Sequence, residues 1–182
     1  MKINNLLEKT NVEGIKELVA NIYNETDKVY FFNPESVDQI KTNTLYKKET
    51  FNHFSIYNKS IYTSLQKIKK MFIEICKSNE INIEKNMFYI SSEYIESFDP
   101  LFWYDSGGDQ PLCFSGYIIL DCEPNSSVHI NEDRIDLEVG NILLLKSSSK
   151  MIWSNTVTAI HFNISPISVL AGQYKQKWIP MI

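Results

Sequence analysis

The side chains that could do chemistry are few and scattered. Histidine occurs three times, at His53, His129 and His161, and cysteine three times, at Cys76, Cys113 and Cys122. Asp105 and Asp109 flank Ser106-Gly107-Gly108. Two carboxylates on a flexible glycine pair can bind a cation or share acid/base work. Asp and Gly also dominate turns for backbone reasons, and that explains the same residues without chemistry. Trp103 and Tyr104 stand beside them and can stack on a ligand ring or fill a core. Trp153, in a short apolar strand, is a further ring for a ligand to lie on. His161 alternates with Ile160 and Phe162. If it faces inward it points into the mouth of a small barrel, where ligands bind. The alternative is a core histidine bonded to a neighbour. His129 follows Val128 at the start of a turn-bounded strand and reads first as a surface residue. His53, between Asn52 and Phe54, reads as structural.

Other nucleophiles have weaker settings. Ser147-Ser148-Ser149 lacks the Gly-x-Ser-x-Gly frame of a nucleophile elbow. The cysteines show no CxxC spacing, and Cys113 and Cys122 have no histidine partner in sequence. Free thiols in a reducing, cytoplasmic setting are the expectation.

Composition narrows the field. The formal net charge is -4 over 182 residues, with 43% hydrophobic and 22% charged side chains. No basic patch serves a phosphate backbone, so the charge argues against nucleic acid as a partner. Lys67, Lys69 and Lys70 fit the solvated face of a helix. MKINNLLEKT has no apolar core of signal-peptide length. No apolar run approaches the ~20 residues of a membrane span. The Asn-x-Ser/Thr triplets are then chance matches. The length suits one domain.

Elements that would position these residues follow from periodicity. Thr10 to Glu13 has the form of a capping box. Val12, Ile15, Leu18, Val19 and Ile22 then recur at helical spacing. A short strand is expected over 29–32, a short helix from Asn33-Pro34 to about 41, and a strand over 50–57. Residues 60–77 form the clearest helix, with Ile61, Leu65, Ile68, Phe72 and Ile75 on one stripe. From Met87 the period changes to two. Strands are expected over 87–95, 102–104, 114–120, 128–130, 134–139 (Ile135, Leu137 and Val139 inward), 142–145, 150–153 and 158–164. Helices first and strands after make an α+β fold, with N-terminal helices packed on a C-terminal antiparallel sandwich. Within one domain over 1–182, residues 1–86 form a mainly helical layer, 87–166 the jelly-roll core and 167–182 a tail whose Trp178 caps an edge.

The strand FSGYIILD, the pair VHINEDRIDLEVG, the strand ILLLKSSS and the last strand AIHFNISP together resemble the double-stranded β-helix, or jelly roll. Cupins and the non-haem Fe(II), 2-oxoglutarate-dependent oxygenases share that frame. The similarity covers about residues 88–166, and the preceding helices suit the oxygenases better than small cupins. Those enzymes hold iron by two histidines and one carboxylate. Asp105 falls at the carboxylate of the HxD motif, and Trp103 stands where its histidine should be. Lys150, Met151 and Ile152 occupy the region of the second histidine. His161 is the nearest residue to the 2-oxoglutarate end. In another register His129, His161, Asp105, Asp109 and Asp121 would converge.

The resemblance implies a pocket for a small molecule or peptide side chain, with a hydroxylase using Fe(II) and 2-oxoglutarate as the leading expectation. A metal-free binding or partner protein on the same frame is the first alternative. A cupin-like isomerase or lyase with His129, His161 or Tyr104 as acid/base groups is the second. An exposed aromatic patch could form a homodimer.

Overall fold

The computed structural model describes residues 2–4, 7–24, 52–83, 87–98, 112–146, 151–166 and 179–181. Its described part is α+β, with two antiparallel sheets and two helices.

Helix α1 (Lys9–Asn24) buries Val12, Ile15, Val19 and Ile22, at the expected three-and-four spacing. It starts earlier than the sequence suggests. The Asn11 and Val12 N–H groups both donate to the Glu8 carbonyl, at 2.8 and 3.2 Å. Thr10 therefore lies inside the first turn, and Glu13 reaches Lys16 at 3.8 Å rather than back to a cap. Helix α2 (Lys59–Ser78) is capped by Asn58, whose Oδ1 accepts from Ser60 N and Ile61 N at 2.8 and 3.2 Å. Asn79 closes the other end, its amide donating to the Ile75 carbonyl at 2.9 Å. The helices cross where Gly14 has no side chain, because a Cβ there would stand 2.3 Å from Ser60 Oγ.

The larger sheet has the order β1-β6-β3-β8-β2-β9. Its strands are β1 (Lys2–Asn4), β2 (Phe88–Phe98), β3 (Phe114–Cys122), β6 (Ile142–Lys146), β8 (Val157–Pro166) and β9 (Ile179–Pro180). The smaller sheet, β5-β4-β7, comprises β4 (Ser127–Ile130), β5 (Asp133–Asp136) and β7 (Met151–Trp153). Strands β1 and β9 stand at the two edges of the larger sheet. In the tail, Ile179 and Pro180 pair with Ile90 and Tyr89 of β2, and Trp178 lies outside the described residues.

Strand alternation sends side chains to two different cores. Phe88, Ile90, Phe114, Ile118, Ile160, Phe162 and Ile164 pack under α1 and α2. Phe72 from α2 meets Phe88 and Phe114 edge-on, at centroid distances of 4.8 and 5.2 Å. Tyr117, Ile119, Leu143, Leu145, Val157 and Ala159 point the other way, onto Val128, Ile130, Ile135, Leu137, Met151 and Trp153 of the smaller sheet and its flank. The result is three layers: helices, large sheet, small sheet. Gly116 lets the central strands close up, since a Cβ there would lie 2.2 Å from the Phe162 ring and 2.4 Å from the Leu143 carbonyl oxygen.

Two expectations are corrected. Of the strand expected over 50–57, the described residues 52–57 are not a strand. His53–Ser55 is a 3-10 turn, because Asn52 Oδ1 takes the Phe54 N–H at 3.1 Å and holds the backbone in a cap. Val139 is not inward. The strand ends at Asp136, and Asn141 Oδ1 accepts from Glu138 N at 3.0 Å in a turn that leaves Val139 45% exposed. The expected elements over 29–32, 33–41 and 102–104 lie outside the described residues.

Candidate functional site

The polar residues of β8 give the site its position. His161, Asn163 and Ser165 occupy alternate places and so share one face, opposite the helices. Register then brings groups from neighbouring strands beside them. Glu93 of β2 stands directly across from His161 on one side, and Tyr117 of β3 on the other. Ser115 stands across from Asn163.

These groups make one hydrogen-bonded line across three strands. His161 Nδ1 is 2.6 Å from Glu93 Oε1, and His161 Nε2 is 2.7 Å from Ser115 Oγ. A carboxylate can only accept, so Nδ1 carries the proton and donates it to Glu93. Nε2 is then an acceptor for the Ser115 hydroxyl. That hydroxyl also lies 3.1 Å from Asn163 Oδ1, and its single proton serves one acceptor at a time. Two residues on, Ser165 Oγ donates to Cys113 Sγ at 3.3 Å.

Burial strengthens the array. The His161 side chain is 0% exposed and that of Glu93 29% exposed, so the line runs from the interior to the surface at its acidic end. In a low-dielectric setting the carboxylate–imidazole bond is worth more than in water. The Tyr117 ring lies 4.9 Å from the His161 ring, tilted by 33°, and meets Trp153 edge-on at 5.1 Å. Tyr117 therefore links two residues the sequence singles out, His161 and Trp153.

The other two histidines stand elsewhere. His129 is exposed on β4, on the outer face of the small sheet, because its neighbours Val128 and Ile130 take the inward positions. Asp121 is likewise exposed. Neither joins the buried His161. His53 lies on the helix side of the large sheet, its N–H donating to Ser92 Oγ at 2.8 Å and its Nδ1 3.1 Å from the same oxygen. Asn52 completes this polar knot, its amide donating to the Ile90 carbonyl at 3.0 Å while its Oδ1 accepts from Ser92 Oγ at 3.1 Å. Burial pushes His53 down to about 4, so it is neutral at neutral pH.

Trp103, Tyr104, Asp105 and Asp109 lie outside the described residues. Among the described residues no three His, Cys, Asp or Glu side chains gather as a metal-ligand set. A metal at His161 would have to displace Ser115 or Glu93 from a ring nitrogen. None of the three cysteines is in a disulfide. Burial pushes Cys76 up to about 11. Cys122 is raised by burial, then by Asp121 and Glu138 beside it, which disfavours the thiolate.

Sequence reasoning missed Glu93, Ser115, Tyr117 and Asn163. Polar residues at period two in otherwise apolar strands, Ser115 in FSGYIIL and His161, Asn163 and Ser165 in AIHFNIS, were the available signal.

No family model matches the chain, and no curated protein matches it. Among solved structures, a protein from Planctomyces limnophilus is similar over 43% of this chain and 65% of its own, at 14% identity and a TM-score of 0.36. The matched part thus spans just under two thirds of that protein's length. Among the described residues no helix is long and apolar enough to cross a membrane.

Proposed function

We propose that the chain is a jelly-roll protein that transforms a small molecule without a metal, with His161 as its acid/base group. This is the isomerase-or-lyase reading of the cupin-like frame, with His161 in the role and Glu93 as its positioning residue. One observation carries it: the Glu93–His161 bond of 2.6 Å, which fixes the tautomer and leaves Nε2 to exchange a proton. Two facing antiparallel sheets support the jelly-roll assignment. The engagement of both ring nitrogens by protein groups favours proton transfer over metal ligation.

The chemistry is general catalysis. Nε2 accepts a proton from a bound substrate or from Ser115, the imidazolium is held by Glu93, and the proton is returned later in the cycle. A positioned group of this kind contributes roughly 10²–10⁴-fold. The test uses chelator-treated protein and pooled polar metabolites, followed by mass spectrometry. Consumption of one compound by the wild type, lost in His161→Gln, supports the reading. Consumption that persists in His161→Gln, or that needs added Fe(II) and 2-oxoglutarate, overturns it.

A further inference from the structure

We infer that Ser115 is a nucleophile and that the site transfers or hydrolyses acyl groups from carboxylic esters. The inference rests on the reading of His161 as an acid/base group and replaces isomerase-or-lyase chemistry with acyl transfer at that same site. Ser115 Oγ, His161 Nε2, His161 Nδ1 and Glu93 Oε1 follow one another at 2.7 and 2.6 Å, in the order hydroxyl, imidazole, carboxylate. That order is the one nucleophilic serine chemistry needs: an activating base, itself oriented by a third group. It is recognised by geometry and role, not by position in sequence. The absence of a Gly-x-Ser-x-Gly turn does not bear on it, because Ser115 sits on a strand and is activated from the neighbouring strand.

The surroundings select the substrate class. Leu145 stands directly across from Ser115 on β6, and both it and Tyr117 belong to the apolar layer between the sheets. Ser115 is 4% exposed and Leu145 and Tyr117 are buried beside it, so a charged acyl group brought there would lose its hydration and an uncharged one is favoured. Asn163 lies 3.1 Å from Ser115 Oγ.

The step balances without a further reagent. Ser115 Oγ bonds to the ester carbonyl carbon as its proton passes to His161 Nε2. The tetrahedral adduct collapses, the C–O bond to the alcohol breaks, and the alkoxide takes the proton from His161. Water then loses a proton to His161 and attacks the acyl-serine. The carboxylic acid leaves, and Ser115 regains its proton.

The full chain is treated with a fluorophosphonate probe and, separately, with p-nitrophenyl acetate and butyrate. The expected result is one adduct, mapped by mass spectrometry to Ser115. It is absent in Ser115→Ala and slowed at least a hundredfold in His161→Gln, with circular dichroism confirming that both variants fold. Ester turnover falls in parallel. As Glu93 acts through His161, Glu93→Gln shifts the pH profile of labelling and Glu93→Asp restores part of the rate. A folded wild type that takes no label at Ser115, or a label that persists in His161→Gln, overturns the inference. If Ser115 stays unlabelled while metabolite consumption still depends on His161, the nucleophile falls and the acid/base reading stands. If both are lost, both fall.

Discussion

Acid should loosen this protein through His53 before it reaches most carboxylates. His53 is 0% exposed in the knot with Ser92 and Asn52, and burial holds it near 4 against an ordinary value of 6.5. Above pH 6.5 the imidazole is neutral in both folded and unfolded chains, and it does not affect stability. Between 6.5 and about 4 the unfolded chain takes up a proton that the folded one refuses, so stability falls with falling pH. The gap between those two values, at about 1.36 kcal/mol per pH unit, makes a loss of about 3 kcal/mol when fully expressed. About 2 kcal/mol of it should be gone by about pH 5. Urea unfolding followed by tryptophan fluorescence, at about pH 7 and about pH 5, measures this, since two-state midpoints convert to free energies. Other titrating groups contribute to the raw pH dependence, so the comparison is with His53→Gln, which cannot titrate. The wild type should lose about 2 kcal/mol more than the variant over that interval. Parallel losses in the two proteins would refute the argument, whatever the absolute stability of the variant.

Further outcomes follow from the packing and the caps. Phe72→Ala removes the ring that meets Phe88 and Phe114, and should lower stability by about 3–5 kcal/mol in the same urea assay. Gly116→Ala forces a methyl against Phe162 and the Leu143 carbonyl, and should destabilise by about 1–3 kcal/mol or prevent folding, seen as a lower melting temperature. Asn58→Ala strips two N–H groups of their acceptor at the start of α2 and should cost about 1 kcal/mol. Cys76, raised to about 11, should react with a thiol reagent at pH 8 only as fast as the protein opens, which denaturant-dependent labelling would show.

Much of the architecture was legible from spacing alone. The stripe of Ile61, Ile68, Phe72 and Ile75 gave α2 almost to its ends, since a 3.6-residue period survives without knowledge of the partner. The switch to period two at Met87 gave the strands. Local hydrogen bonding was harder to see. Asn52 capping Phe54 turned an expected strand into a 3-10 turn, and Glu8 rather than Thr10 began α1. The site itself was half legible. His161 was visible as a polar residue on an apolar strand, but alternation alone did not say which way it faces. Its partners were not visible, because Glu93 lies 68 residues away and Ser115 lies 46 away in sequence. Which residues of three separate strands stand side by side is set by register, and register depends on long-range pairing that no single strand encodes. The family resemblance pointed to Asp105 and its neighbours, which lie outside the described residues, and to His161 of β8 without its partners Glu93 and Ser115.

The most direct test is nitrogen-edited NMR of the His161 ring in the wild type and in Glu93→Gln. The account predicts a proton on Nδ1 with a far-downfield, exchange-protected resonance, a bare Nε2, and loss of that resonance in the variant. A bare Nδ1, or a resonance indifferent to Glu93, would contradict it.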